Sequence, residues 1–133
     1  MMTRESLNPA SLSAPTGYTH VVVVSPGKVA YISGQVALNA KGEVVGAGDL
    51  RAQAAQVYAN LKIALSAVGA SFNDVIKLNT YVVNLQAEHA AILREVRQSM
   101  IAQATPPAST LVGVTALARK EFMIEVEAVA IVK

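Results

Sequence analysis

The spacing of the apolar residues changes along the chain between the period of two typical of strands and the period of three to four typical of helices. In residues 49–68 these positions step by three or four, which predicts a helix that begins at Asp49 and ends before Gly69. Residues 86–102 have the same spacing, and the Pro106–Pro107 pair ends that segment. Two helices therefore interrupt a chain whose other patterns are strand-like.

The helical spacing also predicts which side chains are buried. In the first helix the inward positions are Ala54, Val57, Leu61, Leu65 and Val68. In the second helix they are Ile92, Val96 and Met100.

Strand-like patterns occupy the other ordered segments, which are residues 18–25, 28–33, 74–83, 108–117 and 122–132, with two shorter strands within residues 35–45. Pro26 and Gly27 predict a turn that joins the first two strands in a hairpin. The order ββ(β)αβαββ predicts an α+β fold, a single mixed β-sheet with both helices packed on one face. Residues 1–15 are polar and are interpreted as an N-terminal arm of one domain that spans residues 1–133.

The composition predicts that this fold does not exist as a free monomer. The chain is 53% hydrophobic and only 15% charged, whereas an average domain is about 25% charged. Few charges are therefore available to cover an exposed sheet, and burial in an oligomer resolves the shortage. The alternative is an alanine-rich monomer. No apolar run approaches the roughly 18 residues of a membrane span, so we expect no membrane association.

Several functional classes are disfavoured. The chain has no cysteine, which excludes disulfides and thiolate chemistry and fits a cytoplasmic protein. The first residues lack the apolar core of a secretory signal. A net charge of +2, two phenylalanines and no tryptophan argue against nucleic-acid binding. The histidines, aspartates and glutamates lack metal-ligand spacing, so no metal site is predicted.

The last strand contains the clearest chemical signal. Glu125 and Glu127 lie two residues apart and so share one face of an otherwise apolar strand. Two carboxylates in such a setting need water, a cation or a hydrogen-bond donor. They are either solvated on the outer face of the sheet, or one of them lies in a cleft between subunits and accepts a proton or positions a water molecule.

Six motifs follow one another in residues 16–132. They are YISGQ, the Asn-x-x-Gly turn followed by GEVV, Asn-Leu-Lys in the first helix, Asp-Val-Ile-Lys, the paired prolines and the closing IEVEAVA. In their order and spacing, these motifs resemble those of the RidA/YjgF family. The resemblance implies a chorismate-mutase-like fold that trimerises into a barrel-like core with clefts between subunits. It also implies hydrolysis of enamines or imines, such as 2-aminoacrylate, to 2-oxo acids and ammonia. No metal or organic cofactor is implied.

The resemblance also assigns site residues. Tyr18 matches an aromatic residue that lines the cleft, and Gly34 matches a glycine that lets the backbone approach the ligand. Glu127 matches the glutamate that handles the attacking water, and Thr110 matches a small hydroxyl position. Ser109 stands where archetypal members have an arginine.

The loss of this arginine predicts a changed function. An arginine binds a substrate carboxylate with two charged donors, whereas a serine hydroxyl offers one neutral donor. Removing such a pair typically costs about 2–5 kcal/mol. Ile92 also replaces an asparagine of the archetype. The chain therefore resembles an arginine-lacking branch with weak or no 2-aminoacrylate deaminase activity.

Three functions remain open on these grounds. The first is a hydrolase of imines or related bonds, in which Glu127 guides water and Ser109 and Thr110 donate hydrogen bonds. The second is a non-catalytic trimer that binds a small metabolite. The third, a ribonuclease, has little support from the weak basicity. Whether His20 or Arg119 takes part in the cleft also stays open.

Overall fold

The structure, a computed structural model, describes residues 3–12, 14–15, 19–25, 27–101 and 105–132. Its elements, in chain order, are β1 (Thr3–Leu7), β2 (Val21–Ser25), β3 (Lys28–Gln35), α1 (Leu50–Ser66), β4 (Val75–Val83), α2 (Ala87–Met100), β5 (Ala108–Val114) and β6 (Ile124–Val132), with a short 3₁₀ turn at Phe72–Asp74.

Four strands form the main sheet in the order β3-β6-β4-β5. β6 pairs antiparallel with β3 and with β4, whereas β4 and β5 are parallel and are joined by α2. A parallel pair needs such a crossover because a tight turn cannot return the chain in the same direction. The predicted α+β fold, with two helices on one face of a mixed sheet, is confirmed.

The N-terminal arm contains a strand that the sequence did not predict. Its residues Thr3–Leu7 form β1, which pairs antiparallel with β2 in a separate two-stranded sheet. The predicted hairpin of β2 with β3 is wrong, because in the described part of the chain β2 pairs with β1 and β3 pairs with β6. The strand was not predicted because TRESL is polar, although its side chains alternate between more and less exposed positions.

The two helices pack on the face of the sheet that forms the core. The Asp49 side chain accepts a hydrogen bond from the Ala52 N–H at 3.1 Å, which confirms the predicted start of α1. Four predicted inward positions of α1 are fully buried, namely Ala54, Val57, Leu61 and Leu65. In α2 the buried residues are Leu93 and Val96, with Ile92 partly buried.

Two predicted core positions are exposed. Val68 lies beyond the end of α1, next to Gly69, whose φ of +71° turns the chain away from the helix. Met100 is the last residue of α2, and the following residue, Ile101, buries its side chain instead. Both errors lie at the C-terminal ends of the helices, where the helical period no longer identifies the buried side chain.

Polar side chains of α1 form hydrogen bonds with backbone groups that lie next to the ends of β3 and β6. The buried Gln53 donates to the Glu121 carbonyl at 2.8 Å and accepts from the Met123 N–H at 2.9 Å, just before β6 begins. Asn60 donates to the carbonyls of Val36 and Leu38 after β3. The two strands predicted within residues 35–45 form only one isolated bridge, Leu38 with Val44.

Candidate functional site

The face of the main sheet opposite the helices carries a row of polar side chains. Along β6, Ile124, Val126 and Ala128 point to the helices and are buried, while Glu125 and Glu127 point to the other face and are half-buried. We call this second face the open face. Lys77, Asn79 and Tyr81 of β4 lie on the open face beside them, because register places Asn79 opposite Glu127 and Tyr81 opposite Glu125.

Glu127 is the centre of a hydrogen-bond network on the open face. Its Oε1 accepts from the Tyr81 hydroxyl at 2.5 Å and from Asn79 Nδ2 at 3.1 Å. The bond from Tyr81, followed by that from Asn79, lowers the pKa of the Glu127 carboxyl below its ordinary value. The same hydrogen bond raises the pKa of the Tyr81 hydroxyl. Glu127 is therefore an ionised and oriented carboxylate at neutral pH.

A β-bulge in β3 lies on the other side of Glu127. Ile32 pairs with Ala128 and Gln35 with Val126, so Ser33 and Gly34 together lie opposite Glu127. A Cβ atom at Gly34 would lie 2.0 Å from Glu125 Oε2. The missing side chain of Gly34 therefore makes room for the carboxylate of Glu125, next to the Glu127 network.

Lys77 adds a positive charge to the same face. Its Nζ donates a hydrogen bond to Thr110 Oγ1 of β5 at 2.8 Å. Register places Lys77 opposite Val129 of β6, two pairs along the strands from Asn79 and Glu127. The open face therefore presents an ammonium and a carboxylate as diagonal neighbours on adjacent strands.

An open depression of about 260 Å³ lies between these charged groups. It is smaller than the roughly 300–1,000 Å³ of pockets for drug-sized ligands, so its size suits a small metabolite. Its polar lining comes from Ser33, Lys77, Asn79 and Glu127, and Tyr31 and Val129 contribute apolar surface.

The structure brings together only some of the residues that the sequence singled out. Glu127 and Thr110 lie on the open face, and Asn79 separates them in the register. Ser109 pairs with the buried Leu78, so its side chain points to the helix-facing side and away from Glu127. Gly34 lies beside Glu127 but is in contact with Glu125. Tyr18 lies outside the described residues.

The remaining candidates have structural contacts. Arg119 forms an ion pair with Glu121 at 3.5 Å and lies over the Phe122 ring. The backbone N–H of His20 donates to the Asn8 side chain at 2.8 Å.

Sequence reasoning missed three residues of β4 that build the site, namely Lys77, Asn79 and Tyr81. A signal for them exists in DVIKLNTYVV, where these polar or amphipathic side chains alternate with Leu78 and Thr80. The same period-two rule that paired Glu125 with Glu127 would have placed all three on one face. The register of β4 against β6, which brings the two rows together, is a tertiary feature that the local pattern does not encode.

Among the residues that the structure describes, no group of three or more potential metal ligands lies together. No helix there is long and apolar enough to cross a membrane.

Fold and site together define a class of small α+β proteins. In this class two helices cover one face of a mixed sheet, and a carboxylate held by strand side chains lies on the other face. The sequence model of the endoribonuclease L-PSP family matches residues 9–132, nearly the whole chain. The chain belongs to this family, also called the RidA/YjgF family, so the resemblance inferred from the motifs is confirmed.

Individual relatives agree with this assignment. The chain is 30% identical over 112 residues to a 2-iminobutanoate/2-iminopropanoate deaminase of Dermatophagoides farinae, covering 83% of each protein. It is similar to the crystal structure of the Rid-family protein YyfB from Yersinia pestis, of unknown function, with 43% identity, a TM-score of 0.89 and coverage of 97% and 98% of the two chains. It is also similar to Escherichia coli TdcF with bound serine, with 27% identity, a TM-score of 0.68 and coverage of 82% and 84%.

Proposed function

We propose that the protein is a homotrimer that binds a small metabolite in clefts between its subunits and hydrolyses an imine, an enamine or a related bond. The observation that carries the proposal is the Glu127 carboxylate, held by Tyr81 and Asn79 at the edge of a depression on the open face. The deaminase from Dermatophagoides farinae supports imine chemistry, and the serine in TdcF supports a ligand of amino-acid size.

The proposed hydrolysis needs one oriented carboxylate. A water molecule adds to the carbon of the C=N bond, and Glu127 orients this water and takes up one of its protons. Glu127 then returns its proton to the nitrogen of the resulting carbinolamine. The C–N bond breaks as the hydroxyl oxygen forms the C=O bond of the product, the nitrogen leaves as ammonia, and the hydroxyl proton passes to the Glu127 carboxylate or to water. The lowered pKa of Glu127 makes it a weak base, so its main contribution is to orient water and to stabilise the positive charge of the protonated imine.

The proposed substrate preference follows from Ser109. Since Ser109 carries no charge, we propose an arginine-lacking branch with weak or no 2-aminoacrylate deaminase activity. Within one chain the Ser109 side chain lies on the helix-facing side of β5. A role for Ser109 beside Thr110, Gly34 and Tyr18 therefore requires a cleft that a second subunit completes.

The proposed trimer is supported by exposed apolar side chains on the open face. Val29 and Tyr31 of β3 are 48% and 82% exposed, more than expected for a sheet face that stays in water. Light scattering after gel filtration at micromolar concentration should give about three times the 13.9 kDa chain mass. A stable monomer would contradict both the trimer and the intersubunit cleft. We also propose a cytoplasmic location, on the basis of the cysteine-free composition.

The catalytic proposal is tested by replacing the two neighbouring glutamates. Imines are generated from several amino acids by a pyridoxal-phosphate dehydratase or an amino-acid oxidase, and release of the 2-oxo acid is measured with and without the protein. Glu127→Gln should lower turnover by roughly 10²- to 10⁴-fold, because a neutral amide neither stabilises the positive charge of the protonated imine nor accepts a proton from water. Circular dichroism should show the same fold as the wild type.

Glu125→Gln is the matched control, because Glu125 lies on the same strand and face. It should affect turnover less than Glu127→Gln. Equal losses from both substitutions would contradict the role of Glu127. Saturable metabolite binding without turnover of any imine would favour the non-catalytic trimer instead.

A further inference from the structure

Lys77 is a half-buried cation on the open face whose hydrogen-bond acceptor is neutral. Its ammonium donates to the Thr110 hydroxyl at 2.8 Å. Among the described residues the ion pairs are Arg51 with Glu95 and Arg119 with Glu121, and none includes Lys77. A charge at the wall of a depression, without a paired carboxylate, favours an anionic ligand there.

The position of Lys77 relative to Glu127 suits a ligand with two charges. The two residues are diagonal neighbours on adjacent antiparallel strands, which places their Cα atoms roughly 7–8 Å apart. Both side chains line the same depression, and so does Val129, which lies opposite Lys77 in the register. A molecule that carries a carboxylate at one end and a cationic nitrogen at the other matches this order of charges.

We propose that Lys77 binds the carboxylate of a small zwitterionic ligand whose cationic nitrogen faces Glu127. Lys77 thereby supplies a positive charge on the open face, at a different place from the arginine that Ser109 replaces. Thr110, whose hydroxyl already contacts the ammonium, is the second donor to the carboxylate. The exposed ring of Tyr31 covers the carbon part of the ligand. This inference rests on the proposed function and names the residue that selects carboxylate substrates.

The inference is tested by ligand binding to the full-length protein, with no turnover required. Three probes differ in charge: L-serine carries both groups, 3-hydroxypropanoate lacks the ammonium, and ethanolamine lacks the carboxylate. Binding is measured by calorimetry and by NMR titration of the backbone amides, where the signals of Lys77, Thr110 and Glu127 should shift. L-serine should bind wild type more tightly than either singly charged probe.

Substitutions of Lys77 then identify which end of the ligand it binds. Lys77→Met should weaken binding of L-serine and 3-hydroxypropanoate by roughly 10- to 100-fold, the loss expected for a charged hydrogen bond. It should leave ethanolamine binding unchanged. Lys77→Arg should bind L-serine within a few-fold of wild type. Lys62→Met, at an exposed lysine of α1, is the control and should change nothing.

Failure of this inference is separable from failure of the proposed function. The inference is overturned if Lys77→Met binds L-serine as tightly as wild type, or if wild type does not bind L-serine saturably. If wild type hydrolyses an imine with a KM that Lys77→Met leaves unchanged, the hydrolase stands and the role of Lys77 is wrong. If L-serine binding depends on Lys77 but no imine is hydrolysed, the role of Lys77 stands and the hydrolase is wrong.

Discussion

The two faces of the main sheet are built from the same strands and have opposite characters. On the helix-facing side, Leu78, Val82, Ile124, Val126 and Ala130 are at most 1% exposed. On the open face, alternate residues of the same strands are charged or hydrogen-bonded and only half-buried, including Lys77, Asn79 and Glu127. Shifting either strand by one residue would exchange the two sets, so packing of the core fixes the position of the polar network.

This difference separates the parts of the protein that maintain the fold from those available for chemistry. The helix-facing side is filled by apolar contacts and leaves little freedom for change. The open face combines an oriented carboxylate and a half-buried ammonium with exposed apolar side chains at its edge, namely Val29 and Tyr31. Such a face can bind a ligand or a second subunit without disturbing the core.

The largest expected effect is a loss of stability that distinguishes two neighbouring residues of β4. Leu78→Ala should destabilise the protein by about 2–5 kcal/mol, because it leaves a cavity between the sheet and the helices. Lys77→Ala, one residue earlier and on the open face, should change stability by less than about 1 kcal/mol. Chemical denaturation at one fixed protein concentration measures both, since assembly makes stability depend on concentration. Similar losses for the two variants would contradict the contrast between the faces.

The helix-facing side was the part of the fold that the sequence predicted well. Helical spacing identified four buried residues of α1, and period-two spacing placed Glu125 and Glu127 on one face of β6, because burial imposes a regular pattern on local sequence. The N-terminal strand was missed, since TRESL has no apolar alternation to reveal it. The exposure of Met100 was missed because a helical period does not mark the residue at which a helix ends.

The open face was predicted only in part. Glu127 was identified from its spacing to Glu125 and from the family resemblance. Its partners Asn79 and Tyr81 come from a strand more than forty residues earlier in the chain, and register alone brings them together. Within one chain, the same register places Ser109 and Glu127 on opposite faces of the sheet, although the family resemblance assigned both to one cleft. Neighbouring residues on β5 point to opposite faces, so motif matching alone did not reveal this separation.

A smaller effect on stability is expected when the hydrogen bond from Tyr81 to Glu127 on the open face is removed. Tyr81→Phe should raise the pKa of Glu127, because the hydroxyl that most favours the ionised form is lost. In the folded wild type the pKa of Glu127 lies below its ordinary value of 4.5, so this bond stabilises the protein above about pH 4.5. Its contribution disappears as the pH falls through the lowered pKa.

The stability difference between wild type and Tyr81→Phe should therefore be constant near neutral pH and shrink in acid. Denaturation curves at several pH values measure this difference, and carbon NMR of the glutamate side chains follows the pKa directly. Tyr31→Phe is the control, because the exposed Tyr31 lies outside the hydrogen bonds to Glu127. A difference that stays the same down to pH 3 would show that the hydroxyl does not act through the charge of Glu127.

The smallest effect is expected on deaminase activity, when the arginine of the archetype is restored at position 109. Wild-type protein should deaminate 2-aminoacrylate poorly, and Ser109→Arg should give only partial activity. The side chain at position 109 starts on the helix-facing side, beside Leu78, and β5 is an edge strand of the main sheet. An arginine can therefore extend past the edge to water, as long basic side chains do, but no residue of this chain has been selected to hold it. A misplacement of about 1 Å can reduce a rate roughly a hundredfold.

Pyruvate release from a coupled pyridoxal-phosphate dehydratase compares the variant with wild type, and Ser109→Lys serves as a control for charge without the planar donor pair. If wild type already matches an arginine-containing relative, the serine does not redirect function, and the positive charge on the open face, Lys77, becomes the first residue to test in its place.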